Sequence, residues 1–334
     1  GGGGGGGRIV VEYADASSFS SFDLSSAAGG TGVQSGSDGS IAFLDVASGD
    51  PDLLVDQNLV LTENSTYNFG DVTVRNGATL TIGGGSTFNA SGTLHVLENS
   101  QIVVQAVNAA AQVDSQWAGE GVAINAANVV VESGSTITAD HQGYLGGEDG
   151  GQGKGPGAPT GGNAGATHAG IGGDGQWDDP ILIAYGDALA PTDLGSGGGG
   201  SFVLSGGRGG AGGGAISLDV TGTLTLNGEI TADGESIGTG RGDGGGSGGS
   251  IYVVTDTLTG AGIFSADGGS SLANVGGGGG GGRVVVHYLD ADAFTGFAAS
   301  TAAGGTGTQA GSDGSVGFFE VTDLANHLTD PDRG

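Results

Sequence analysis

DVTVRNGATLTI (71–82) and GTLHVLENSQIVV (92–104) share one plan: an alternating apolar run, a small polar turn, and a second alternating run. In the first, Val72, Val74, Leu80 and Ile82 fall on every second position, the period of a strand with one face inward. Their turns contain Asn76-Gly77 and Glu98-Asn99-Ser100, residue types that tolerate left-handed backbone. Outward from this pair the unit recurs as ANVVVESGSTITA (127–139), GTLTLNGEITA (222–232) and DTLTGAGIFSA (256–266). Leu94 lies 22 residues after Val72 and Val129 lies 35 after Leu94; GGGAISL (212–218) and SGGSIYV (247–253) are again 35 apart. Units returning every 20 to 35 residues fit a hairpin meander or a coiled solenoid. Hairpin sandwiches place turns about every 8 to 12 residues, whereas a spacing of 22 matches one circuit of a three-sided parallel β-helix. The expected fold is therefore all-β, a right-handed parallel β-helix (β-solenoid). No window carries helical spacing with caps over ten or more residues.

A longer period encloses these units. Residues 1–46, beginning GGGGGGGRIVVEY, return as 276–321, beginning GGGGGGGRVVVHY, at a constant offset of 275. From Arg8/Arg283 to Val46/Val321, 23 of 39 aligned positions are identical, including Tyr13/Tyr288, Phe19/Phe294, Phe22/Phe297, Asp38/Asp313 and Phe43/Phe318, so shared glycine does not account for the match. The division expected is a partial repeat at 1–46 (the second half of one module), β-helix rungs at 47–142, a Gly-rich insertion at 143–200, rungs again at 201–275, and at 276–334 the start of the next repeat, equivalent to 1–46. A piece of a tandem array is the simplest source of such a pattern; a single protein capped at both ends by one duplicated module is the alternative.

Composition narrows the functional classes. Of 334 residues, 80 are Gly and 6 are Pro, a content typical of disordered low-complexity chains, yet clusters such as IVVEY (9–13), IYVVT (251–255) and VVVHY (284–288) are not disordered sequence. In a solenoid, runs such as 194–200 and 206–214 are expected to be tight corners, Gly-rich loops, or polyglycine arms lying against the coil, since a residue without Cβ permits very close backbone approach. With 36 acidic against 7 basic residues and a formal charge of -29, the chain has no face able to neutralise phosphates, so nucleic acid and anionic membrane are not expected as partners. Cys and Met are absent, which excludes disulfides and thiolate metal sites and leaves little to oxidise. No apolar stretch of about 18 residues exists to span a bilayer. Starting at Gly1, without initiator Met or signal peptide, the chain is expected to derive from a longer precursor.

Through GGSGGSIYVVTDTLTGAGIFSADGG (245–269) followed by GGGGGGGRVVVHY (276–288), the sequence resembles glycine-rich β-helix repeats of very large bacterial surface and secreted proteins. Residues 210–290 and 1–46 carry the resemblance best, and the rungs from 71 to 139 more loosely. It implies an elongated extracellular or cell-surface solenoid of the adhesin, autotransporter-passenger or matrix-fibre type, and says little about activity.

Chemistry is sparse by comparison. A polysaccharide lyase needs a basic catalytic residue and commonly calcium, but the single Lys and six Arg are scattered. Arg8 and Arg283 occupy one repeat position, which suits a structural guanidinium resting on nearby carbonyls. A glycoside hydrolase needs two carboxylates about 5 to 9.5 Å apart, whereas Asp178 and Asp179 are neighbours that a strand would point apart. None of the five His is spaced for a metal site, and His287 replaces Glu12 at one repeat position. GxGxxG-like strings follow from glycine abundance alone. Calcium is the one ligand kept open: Asp38 and Asp313 lie in GSDGS turns, and Asp50, Asp52, Asp330 and Asp332 in DPD turns, of the kind that supply oxygens to hard cations. No other cofactor is expected. Trp117, Tyr144 and Trp177 are the candidates for stacking on a glycan. The functional expectation is a non-enzymatic structural protein that associates with itself, end to end or laterally, in a surface fibre, filament or matrix. An adhesin that binds glycans or cell surfaces is the alternative, and polysaccharide cleavage a third.

Overall fold

The computed structural model describes residues 1–19, 21–47, 49–176, 183–201, 207–238, 243–271 and 275–324. Its strands are β1 (Arg8–Tyr13), β2 (Ser40–Asp45), β3 (Asp52–Val55), β4 (Leu59–Leu61), β5 (Thr66–Phe69), β6 (Val72–Val74), β7 (Thr79–Ile82), β8 (Thr87–Val96) and β9 (Gln101–Val104). They continue as β10 (Val122–Val131), β11 (Thr136–Thr138), β12 (Ala215–Leu226), β13 (Glu229–Thr231), β14 (Ser250–Thr259), β15 (Ile263–Ser265), β16 (Arg283–Asp290) and β17 (Ser315–Glu320). Among the described residues no helix is long and apolar enough to cross a membrane.

Two sheets result. One runs β1-β2-β3-β6-β8-β10-β12-β14-β16-β17, with β5 beside β8; the other runs β15-β13-β11-β9-β7-β4. From β6 to β16 the chain alternates between them, and each passage out and back advances by one strand in both. The register follows the sequence spacings: Val72 pairs with Leu94, Leu94 with Val129, Val129 with Leu224 and Leu224 with Leu258. In the second sheet Leu80, Ile102, Ile137, Ile230 and Phe264 form the matching row. All are fully buried in one continuous core, and each contributes roughly 1.5 to 3 kcal/mol of apolar burial. Side chains stack outside as well. Asn125 donates to Asn89 (2.8 Å) and Asn89 to Asn68 (2.7 Å), so one amide ladder ties three successive strands. Between the strands of a unit the backbone turns left-handed, with φ of 62° at Asn76, 70° at Gly77 and 55° at Glu98.

The glycine runs are arms. None of the glycines in 1–7, 194–200, 207–214, 243–249 or 276–282 has a left-handed φ. Residues 276–282 display their packing most completely. Gly277 and Gly280 donate to Asn163 and Ala166, Gly278 and Gly281 to Gln309 and Ser312, and Gly279 and Gly282 to Gly269 and Ala266. Their carbonyls accept in the same rhythm, from Gly245 and Gly248, from Gly173 and Gly170, and from Thr308 and Gly305. One extended segment thus lies among six others and changes partner with a period of three residues, the period of polyproline II. A Cβ on any of these seven glycines would come closer than 3.0 Å to a backbone carbonyl oxygen, so only glycine fits. The stretch 143–200 supplies members of this lattice: Gly197 and Gly200 donate to Lys154 and Gly151, Gly195 and Gly198 to Gly213 and Gly210, and Gly199 to Ala164.

One junction departs from the pattern. The β2–β3 pair is antiparallel, whereas every other strand pair named here is parallel. Neighbouring residues on a strand face opposite ways, and β2 uses both faces. Ala42 joins Leu53 and Val55 in the main core, while Ile41 and Phe43 build a separate cluster with Ala27, Tyr13, Phe22 and Leu54. In the second copy, Val284, Val286, Phe294 and Phe318, the counterparts of Ile9, Val11, Phe19 and Phe43, pack into the main core.

Candidate functional site

The two copies of the long repeat fold alike, so differences between them isolate what surrounds each. Phe19, Phe22 and Phe43 form an edge-on aromatic triad with centroids 4.7 and 4.9 Å apart, and Phe294, Phe297 and Phe318 repeat it at 4.9 and 4.8 Å. In the second copy, Phe264 of β15 covers the triad, 6.1 Å from Phe294 and 5.9 Å from Phe318. Over the first copy lies a cleft of about 370 Å³ lined by Ile9, Val11, Tyr13, Phe19, Phe22 and Phe43.

The strand beside the cleft differs in the same way. β16 pairs with β14 on one edge and β17 on the other, whereas among the described residues β1 pairs only with β2. Ile9, Val10 and Val11 are accordingly 37, 51 and 38% exposed, against 0, 2 and 0% for Val284, Val285 and Val286. Of the six segments around 276–282, the first copy keeps the counterparts of two. Gly3 and Gly6 donate to Gln34 and Ser37, and Gly1 and Gly4 accept from Val33 and Gly30. A Cβ at Gly1, Gly4 or Gly7 would meet nothing within 4 Å, and one at Gly2 or Gly5 only oxygens 3.7 Å or more away. Five glycines therefore stand where this chain leaves room for a side chain, in phase with five that cannot be anything else.

A loop completes the covering of the second copy. Residues 183–194 lie on the outer side of β14 and β16: Arg283 donates to the Tyr185 carbonyl (2.9 Å), His287 Nε2 lies 3.1 Å from the Leu189 carbonyl, and Ser250 donates to the Asp193 carbonyl (2.7 Å). Arg283 thus rests on a carbonyl, in keeping with its repeat position. Beneath the loop, His168 is fully buried against Tyr185 (ring centroids 4.7 Å apart), with Nδ1 2.9 Å from the Gly248 carbonyl. Burial lowers its pKa to about 4 and keeps it neutral. The Tyr185 hydroxyl donates to the Leu194 carbonyl (2.6 Å), and burial raises its pKa. Where sheet meets lattice, carboxylates step from one segment to the next: Asp140 accepts from the Asp233 N–H (2.7 Å), Asp233 from that of Asp267 (2.6 Å), and Asp267 from that of Ala303 (2.6 Å). Burial raises Asp233 to about 6 despite the Ser265 hydroxyl that it accepts.

The residues singled out from sequence are scattered by comparison. Asp38 accepts the Gly29 N–H (2.8 Å), Asp313 the Gly304 N–H (2.9 Å) and Asp52 the Asp71 N–H (2.7 Å), while Asp50 is exposed in a turn. Asp330, Asp332, Trp177, Asp178 and Asp179 lie outside the described residues. No group of three or more His, Cys, Asp or Glu suited to a metal occurs among the described residues. Tyr144 is buried, its hydroxyl accepting the Gly119 N–H (2.9 Å) and its ring set against Trp117 (5.2 Å). Trp117 itself borders a second cleft, of about 470 Å³, with Gln112, Gln152 and Lys154. The residues of the open face, Ile9, Val11 and the five unconstrained glycines, were not picked out from sequence; their signal is the duplication, which aligns them with residues that have partners. No protein-family model, curated protein or solved structure matches the chain.

Proposed function

We propose that the chain is a stretch of a right-handed parallel β-helix that carries polyglycine arms, and that it serves as a non-enzymatic structural repeat of an extracellular fibre, filament or matrix. Supporting the helix reading is the alternation between two sheets with one strand of advance per circuit; parallel crossovers of this kind are right-handed in nearly all proteins. Supporting the structural role is the relation between the two copies. The face of residues 1–46 is open where its duplicate is covered by β14, β15 and the lattice, and its glycines are already shaped for that covering. A preceding period would supply the missing surfaces in register. Solenoids stack this way, each repeat burying what its neighbour exposes. The absence of Cys and Met and the charge of -29 suit an oxidising exterior.

A doubled chain, residues 1–275 joined to 1–334, tests the reading. It is expected to form one continuous rod in electron micrographs and small-angle scattering, and to unfold as a unit longer than one period. Two independently tumbling bodies would refute tandem stacking.

A further inference from the structure

The same complementarity has a use between molecules, an extension that rests on the tandem reading. We propose that the face of residues 1–46 docks onto the β14 edge of a second copy of this chain, the edge that residues 276–324 occupy in cis.

The occupant is specified by the duplicate. β14 meets β16 with Ser250 opposite Arg283, Ile251 opposite Val284 and Val253 opposite Val286. Transferred to β1, the same register sets these residues against Arg8, Ile9 and Val11, with identical or nearly identical chemistry. Phe264 would enter the cleft between Phe19 and Phe43, where its contact with Phe294 and Phe318 already displays the fit. Gly2 and Gly5 would lie against the segments that now hold Gly277 and Gly280. One position differs. His287 Nε2 faces the Leu189 carbonyl at 3.1 Å, and Glu12 would bring a carboxylate oxygen to that carbonyl. Docking in trans is therefore weaker than the contact in cis, which also has the advantage of being tethered.

The test uses the full chain with a protease site inserted between Ser271 and Val275, folded and then cleaved, so that residues 275–334 are held by non-covalent contacts alone. Sedimentation and electron microscopy are expected to find release of the small piece and growth of linear head-to-tail polymers. Uncleaved chain, which offers the 1–46 face but no free β14 edge, shortens them. The uncleaved Gly280→Val chain, which unseats the cis copy without cutting, polymerises likewise. Glu12→His lowers the concentration for half-assembly about tenfold, the effect of replacing an opposed pair of acceptors with a hydrogen bond. In the cleaved chain Gly5→Val abolishes assembly; before cleavage it leaves the monomer folded. A folded body that stays monomeric in both the cleaved and the Gly280→Val forms overturns the inference, as does polymerisation that Gly5→Val leaves unchanged. If the doubled chain forms a continuous rod while the cleaved chain stays monomeric, docking in trans fails and tandem stacking stands.

Discussion

At Gly280 a methyl group would run into the carbonyl of Gly170, while at Gly5, the same repeat position, it would make ordinary contact with the Ser37 carbonyl at 3.8 Å and the Ser37 hydroxyl at 3.9 Å. Gly280→Ala is therefore expected to destabilise the chain by more than about 4 kcal/mol, and Gly5→Ala to change stability by less than about 1 kcal/mol; urea denaturation of the two variants measures both. Two titratable groups, one buried and one half-buried, give a second residue-scale prediction. Asp233 titrates near 6 in the folded chain, above its ordinary 3.8, so the folded state keeps a proton that the unfolded state has lost. Between these values its ionisation costs stability as pH rises, by about 3 kcal/mol in total. His168 moves the other way, from 6.5 down to about 4, and stability is lost as pH falls through that window, by a similar amount. The two nearly cancel between pH 6 and 4. Asp233→Asn should expose the histidine, with stability falling on acidification, and His168→Gln the aspartate, with stability rising. Denaturation midpoints across that range would check the signs. Neither group was legible in the sequence, because a lone His or Asp in a glycine-rich stretch carries no mark of its burial. The glycines were half legible. Asn76-Gly77 reads as a turn because turn chemistry is local, but a glycine admitting a distant carbonyl looks the same as one bending a corner.

At the scale of elements, spacing was informative because register is a sum of residues. The 22 residues from Val72 to Leu94 and the 35 from Leu94 to Val129 each separate paired partners on adjacent strands. Alternation then placed Val72, Val74, Leu80 and Ile82 inward, and all four are buried. The reversal between β2 and β3 left no comparable trace, since Gly49-Asp50-Pro51 reads as one more turn among many. Phe264 is the element-scale hinge between the body and its terminal copy, and the two aromatic triads make its role measurable. Phe264→Ala is expected to cost about 3 to 5 kcal/mol. Hydrogen exchange should then quicken through 276–320, with no change in 1–46, whose triad has no Phe264 against it. Equal loosening of both copies would mean that the effect spreads through the sheet and not through this contact.

For the whole molecule, the decisive relation is between surfaces about 275 residues apart in sequence. The duplication was plain in the sequence, but a duplicated segment has no face until its surroundings are known; the exposure of Val10 beside the burial of Val285 is what tells the two copies apart. The lattice was likewise hidden. Its segments come from stretches scattered between residues 143 and 314, and their contact is made by backbone, which all sequences share.

The antiparallel β2–β3 junction reaches further than its few hydrogen bonds suggest. On one side of it the apolar interior lies under one surface of the long sheet, through Ile41 and Phe43; on the other side it lies under the opposite surface, through Ala42, Leu53 and Val55. In a tandem array every period contains one such crossing. Under the tandem reading proposed above, successive periods would sit on alternate flanks of a single unbroken ribbon, each with its polyglycine slab facing away from that of the period before. Such an array would have twofold-screw character, with a true axial repeat of two periods, about 550 residues, and anything displayed from one arm would emerge on both sides in turn.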